Sequence, residues 1–220
     1  MTMRTIFACF NFIGDLAAEE KNYLDVHVQL AKQLPGLRQY ITGKLRPSGT
    51  TAPPYYRAAM LNYDSKETAH EANRNSAVAK PLMDDSAAHI SPGARWIELE
   101  SEVIVPFDSR KPGQDYFVMA AEFDLKLNCD SLDSAEKLYL DHHTHIARRL
   151  PGLRHYLIGQ IDHVGRGGNL DRWRMAMLVF DNIEAFRAAY RSPVGQELVK
   201  DEAATILNPR VYRLDATVQI

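Results

Sequence analysis

The chain has 220 residues, 45% hydrophobic and 25% charged, the balance of an ordinary soluble globular protein. Its formal net charge of −2 offers a polyanion no attracting field, so nucleic acid is not an expected partner, and no apolar stretch approaches membrane-spanning length. The apolar segment IFACFNFIG near the N-terminus is the one targeting candidate, but it is short, runs into acidic residues and reads equally well as a first strand; with Cys9 and Cys129 read as reduced thiols, a cytoplasmic protein is expected.

In chain order, Arg4 to Phe12 is a β-rich run, and Ala17 to Leu34 has helical periodicity with Tyr23, His27, Leu30 and Leu34 on one stripe. LPGLR ends that helix, because Pro35 cannot continue the hydrogen-bond ladder and Gly36 can take the turn. Leu37 to Lys44 and Tyr56 to Tyr63 follow as strands. Asp64 then starts a helix running to about Ser76, followed by a less regular segment, VAKPLMDDSAAHISPG, and a strand from Arg95 to Val105. PFDSRKPGQD, from Pro106 to Asp115, reads as a linker.

Beyond the linker the text repeats. YLDVHVQLAKQLPGLRQYITGKL begins at Tyr23 and YLDHHTHIARRLPGLRHYLIGQI at Tyr139, an offset of 139 − 23 = 116 that also joins Pro35 to Pro151, Arg38 to Arg154, Tyr40 to Tyr156 and Gly43 to Gly159. Arg174 to Phe180 answers Tyr56 to Tyr63, Asp181 starts a helix to about Ser192, VGQELVKDEAATILNP follows, and Arg210 to Ile220 closes the chain. Cys9 and Cys129 fall outside this register (129 − 9 = 120), which argues against a shared metal or disulfide role. The expected organisation is a first domain over 1–106, a linker over 107–115 and a second domain over 116–220.

Each copy runs strand, helix, strand, strand, helix, strand. That order predicts an α+β class: two tandem ferredoxin-like domains, each a four-stranded antiparallel sheet with its helices on one face. An open sheet needs a partner, so the two are expected to pack as an intramolecular dimeric α/β barrel. A further pairing of the tandem chain into a homodimer stays open.

The segments from Tyr23 to Tyr40 and from Tyr139 to Tyr156 carry YLDxH, a run of about seven residues, LPGLR and a following tyrosine. In these residues the chain resembles the EthD family of dimeric α/β-barrel proteins. SPVGQ, from Ser192 to Gln196, also resembles the family's second-helix end, whereas the first copy departs from it with Ser76, Ala77 and Val78. The resemblance implies the barrel fold and a range of chemistry: cofactor-free lactone isomerases, polyketide-type cyclases, dehydratases, decarboxylases and catabolic proteins of obscure reaction. It also implies a helix histidine and a tyrosine thirteen residues later at the site. His27 with Tyr40 (40 − 27 = 13) and His143 with Tyr156 (156 − 143 = 13) both match.

His27 lies four residues after Tyr23 and three before Leu30, on the core-facing stripe, and His143 repeats the pattern after Tyr139. An imidazole held in a cleft, its pKa lowered by burial, would be a neutral base suited to isomerisation, dehydration or decarboxylation without a cofactor. Against this stands a plain core role, with each ring bonded to a carbonyl or a tyrosine hydroxyl. Strand alternation puts Arg38 with Tyr40, and Arg154 with Tyr156, on one face, where the arginine could bind a carboxylate or enolate and the tyrosine could donate to developing charge. The alternative for Arg38 is capping the helix just ended. Tyr23 and Tyr139 would line the apolar part of a substrate pocket, or serve as plain core.

Asp25 and Asp141 lie two residues before the histidines and should point to solvent. HHTH places His142 and His145 on one face but without metal-ligand spacing, so no metal is expected. GRGG, from Gly165 to Gly168, reads as a hairpin loop. The leading expectation is a cofactor-independent lyase or isomerase acting on a small hydrophobic aromatic, lactone or polyketide-like compound. The alternatives are a non-catalytic binding or accessory protein of an oxidative catabolic pathway, and haem or oxygen chemistry, which would colour the protein.

Overall fold

The computed structural model describes residues 2–47, 49–107, 111–127, 131–165 and 169–220. Alternation in strand β1 (Thr2–Phe10) sends Phe7 and Cys9 to one side and Ile6, Ala8 and Phe10 to the other. Asp15 caps the following helix by accepting from the Ala18 amide. That helix, α1, is α-helical over Leu16–Asn22, makes a π-turn over Tyr23–His27, and is α-helical again over Val28–Ala31. The wider turn moves the buried stripe. Val28 and Ala31 are buried and Leu30, expected inside, is only half-buried, while Tyr23 and Leu34 stay in the core. Gly36, at φ 71°, then reverses the chain in a conformation that favours glycine.

Strands β2 (Leu37–Leu45) and β3 (Arg57–Tyr63) come next, then helix α2 (Lys66–Arg74), capped by Ser65 rather than Asp64. The segment read as irregular is helix α3 (Ala79–His89), and β4 (Arg95–Val105) completes the first half. The second half repeats these elements. Strand β5 (Asp115–Leu125) leads to α4, built of Leu132–Leu138, a π-turn Tyr139–His143 and Thr144–Ala147. Then come β6 (Leu153–Gly165), β7 (Arg174–Phe180), α5 (Ile183–Arg191), α6 (Pro193–Thr205) and β8 (Ile206–Val218). Asn182, not Asp181, caps α5, and Ser192 with Pro193 starts α6 where irregular chain was expected. Cys129, residues 166–168 of the glycine-rich loop and residues 108–110 of the linker lie outside the described residues.

The eight strands close into one antiparallel barrel in the order β1-β3-β2-β8-β5-β7-β6-β4. Within it, β4-β1-β3-β2 and β8-β5-β7-β6 are two ferredoxin-like sheets, so this is the α+β tandem barrel that the strand order predicted. The sheets meet at two seams, β2 with β8 and β4 with β6. At each seam the repeat keeps a glycine: a Cβ on Gly43 would fall 2.2 Å from the Asp215 carbonyl oxygen, and one on Gly159 would fall 2.8 Å from that of Glu100.

Apolar side chains from both halves fill the barrel, and each half has a second core between its sheet and its own helices. A charged network sits inside. Glu122 is fully buried and is bonded by Arg95 (2.5 Å) across the halves, by Tyr212 (2.5 Å) and by Arg210 (3.5 Å). Among the described residues no helix is long and apolar enough to cross a membrane.

Candidate functional site

The π-turn of α1 points Tyr23 and His27 at the same layer, where their rings stack at 5.0 Å between centroids. His27 Nδ1 lies 2.8 Å from Asp85 Oδ2 on α3. A ring N–H at Nδ1 donates to this carboxylate and fixes the orientation of the imidazole. The Asp85 carboxyl is raised by its burial, but bonds from His27 and Asn22 outweigh that and hold it below the usual carboxylate range.

A hydroxyl chain runs beside this pair. Tyr23 Oη is 2.8 Å from Tyr40 Oη and 2.9 Å from Thr42 Oγ1, and Thr42 donates to the Ala58 carbonyl at 2.9 Å. Thr42 has one proton and spends it on Ala58, so Tyr23 donates to Thr42 and Tyr40 donates to Tyr23. His27 and Tyr40 therefore meet through Tyr23 rather than directly. Burial pushes the Tyr23 hydroxyl up despite Arg57, whose guanidinium lies 4.6 Å from the ring centroid; burial and then Tyr23 push Tyr40 well above the usual range.

The second half repeats the pair and breaks the chain. His143 stacks on Tyr139 at 4.9 Å, its Nδ1 is 2.6 Å from Asp201 Oδ2, and burial lowers its pKa against the opposing pull of Asp201. Ile158 stands where the first half has Thr42 (158 − 42 = 116). The Tyr139 and Tyr156 hydroxyls are neighbours, yet both are buried without a hydrogen bond of normal geometry. Burial pushes Tyr139 up to about 12, and burial followed by Tyr139 pushes Tyr156 well above the usual range.

The arginines do not join these clusters. Arg38 is the extra residue of a β-bulge between Leu37 and Gln39, so it leaves the face that Tyr40 and Thr42 share and bonds Asp64 in solvent. Arg154 does the same with Asp181 at 2.6 Å, in a bulge between Leu153 and His155. Asp25 and Asp141 face solvent as expected, bonded to Lys21 and Lys137. Among the described residues no group of three or more His, Cys, Asp or Glu side chains is placed to hold a metal ion. The partners missed from sequence are Asp85 and Asp201, whose shared offset (201 − 85 = 116) lay in the segments read as irregular.

A separate surface cleft lies elsewhere in the first half. A cleft of about 530 Å³ opens between α2, α3 and the outer face of β1 and β4, with the end of β6 as its far wall. Ile6, Ala69, Leu82 and Trp96 give it an apolar side, and Arg4, His70, Asn73, Ser86 and His163 give it a polar one. His27 and Tyr40 do not line it; Asp85 stands directly behind Ser86 in the chain. Arg4 is buried and bonds Glu98 of β4 and, at 2.6 Å, Asp162 of β6, so the cleft floor is tied across the two halves. A smaller hollow of about 210 Å³ at the β2–β8 seam reaches the hydroxyl chain at Thr42, between Glu20, Lys44 and Arg57.

A single-chain barrel of two ferredoxin-like halves, with a mixed apolar and polar cleft, is the class that these observations define. Residues 131–208 match the family model described as the EthD domain. The matched EthD stretch lies in the second half, and the first half repeats much of that stretch at an offset of 116. It is 27% identical over 108 residues to an uncharacterized 11.0 kDa protein from the thcB-thcC intergenic region of Rhodococcus erythropolis, an alignment covering 47% of this chain and 100% of that protein. Among solved structures it is similar to a candidate monooxygenase of Fusobacterium nucleatum, with a TM-score of 0.71 and 9% identity over 99% of this chain and 94% of the other. An anthrone oxidase-like protein superposes with a TM-score of 0.61 and 10% identity, over 99% and 93% of the two chains. At these identities the likeness is one of fold.

Proposed function

We propose that the chain binds a small hydrophobic aromatic, lactone or polyketide-like compound in the first-half cleft and acts on it as a cofactor-independent lyase or isomerase. The observation that carries this reading is the cleft itself: an apolar wall with Trp96 facing a few convergent polar groups, two of them imidazoles. Imidazole is the side-chain type that exchanges protons near neutral pH, and His70 supplies one at the wall where a ring would sit against Trp96. His27, with Asp85, ties α1 to α3 and so positions the helix that presents Leu82 and Ser86. Tyr23 and Tyr40 hold the layer behind it. In this reading the functional units are 1–106 and 116–220, joined by 107–115.

The test is turnover of a panel of phenols, lactones and β-keto acids by wild type, His70→Ala, His163→Ala and His27→Ala, each confirmed folded. Loss of about 10²-fold or more in kcat with His70→Ala is expected, the usual worth of a positioned acid or base. Turnover that survives both His70→Ala and His163→Ala, or that none of the panel elicits, would remove the assignment.

The second reading, a binding or accessory protein without turnover, has its own support. The His–Asp pair is kept in both halves, and the second half keeps it beside a space filled by aromatic rings. That is how packing residues behave. Saturable binding of panel compounds without conversion would favour it.

A further inference from the structure

We infer that the duplication has divided the labour: the first half holds the chain's one ligand site of this kind, and the second half has its equivalent cleft closed by its own aromatic side chains. The inference rests on the reading that the first-half cleft binds a small molecule.

Strand register fixes which positions correspond. Arg4 pairs with Tyr63 as Phe117 pairs with Phe180, and α2 and α5 are nine-residue helices that follow those strands at the same spacing. Ala69 thus corresponds to Phe186 (186 − 69 = 117) and Asn73 to Tyr190 (190 − 73 = 117). One residue drops out before the next helix, so Ser86 corresponds to Glu202 (202 − 86 = 116). Every one of these exchanges puts a larger side chain in the second half.

Those larger groups pack on one another. The Phe186 ring lies 4.8 Å from Phe117, 5.6 Å from Phe180 and 4.6 Å from Tyr190, centroid to centroid, and the Tyr190 hydroxyl donates to Glu202 at 3.3 Å. Such a cluster is a packed, half-buried layer over the second core rather than a vacancy, and ring pairs at these distances attract beyond their burial. In the first half, Asn73 instead turns back to the Tyr63 hydroxyl (3.1 Å) and the Ala69 carbonyl (2.8 Å), which leaves the space beside Trp96 open.

The second half has also acquired a different task. Strand β6 runs thirteen residues where β2 runs nine, and its extra length carries Asp162 to Arg4 and His163 to the cleft rim. A symmetric pair of identical units could not be long and short at once. Covalent fusion lets one unit be the pocket and the other its wall.

The experiment is calorimetric titration of the full chain with 2-naphthol as probe. Wild type is expected to bind one equivalent. Ala69→Phe/Asn73→Tyr, which transplants the plug into the first half, should lose it, and Phe186→Ala/Tyr190→Asn should gain a second equivalent; thermal unfolding checks that each variant folds. Two equivalents, or none, on wild type would overturn the inference, as would a Phe186→Ala/Tyr190→Asn protein that stays at one. Catalysis is not the readout, so the two proposals fail separately. One equivalent without turnover of any compound sinks the enzyme and leaves the division of labour, while turnover with two equivalents does the reverse.

Discussion

The two halves place a histidine on the same π-turn, stack it on the same tyrosine and bond it to an aspartate 58 residues further on in each case. They part company one layer away, where Ala69, Asn73 and Ser86 stand in one half and Phe186, Tyr190 and Glu202 in the other. On the proposed reading, what this chain keeps twice serves the fold of each copy. What it keeps once is where a specialised site can form, because the other copy is free to fill the same space with side chains.

The largest stability contrast is expected inside the barrel. Cys9 pairs with Arg95 in the first sheet as Glu122 pairs with Arg210 in the second, so the two occupy equivalent places. Glu122→Ala leaves Arg95 without its buried carboxylate and should cost about 3–5 kcal/mol in denaturant unfolding. Cys9→Ala should cost about 1 kcal/mol, the ordinary value for a point change. A similar cost at both would mean the Glu122 network does not hold the halves together.

The seams offer the next contrast. Gly43→Ala drives a methyl into backbone at 2.2 and 2.5 Å, whereas Gly159→Ala first meets the flexible Leu99 side chain at 2.7 Å and then the Glu100 carbonyl. Overpacking of this sort costs about 1–3 kcal/mol, with Gly43→Ala at the upper end and Gly159→Ala at the lower. Equal midpoints for the two variants would refute that ordering.

The paired aspartates should behave alike, since each bonds a histidine on the same π-turn. Asp85→Asn and Asp201→Asn each weaken a bond to a largely buried imidazole, and each aspartate has a further side-chain donor, Asn22 at 3.1 Å and Thr205 at 3.0 Å, so each should cost about 1–2 kcal/mol. A loss confined to one half would show that the pair does different work in each.

The smallest effect is the pH slope. Burial lowers the pKa of His143 below its ordinary 6.5, so the folded chain binds this proton less readily than the unfolded one. Its stabilising contribution is then full above about 6.5 and is lost as pH falls through the lower folded value. Unfolding free energy should decline from pH 7 to pH 5, and less steeply in His143→Gln. An unchanged slope would mean the histidine is not held neutral.

Much of the scaffold was readable in the residues. The β-rich run at Arg174–Phe180, the LPGLR turn and the repeat offset led to the strand order and to the closed barrel, because periodicity and turn chemistry are local. Helix α3 was missed because Lys80, Pro81, Asp84 and Asp85 dilute its apolar stripe, and its counterpart α6 was missed as well, although Ser192 followed by Pro193 is a helix-start signal. The bulge that expels Arg38 and the π-turn that shifts the α1 stripe are single-residue insertions with no composition of their own. The cleft was invisible for a different reason: an alanine at 69 and a phenylalanine at 186 become informative only once the register shows that they face the same kind of space.

The most direct measurement is a crystal structure of the wild-type chain soaked in 2-naphthol. The ring should appear against Trp96, between α2 and α3 and walled by the end of β6, with the Phe186–Tyr190 cluster unmoved. A ring seated beside Phe186, or a first-half cleft left empty while the probe binds elsewhere, would contradict the account.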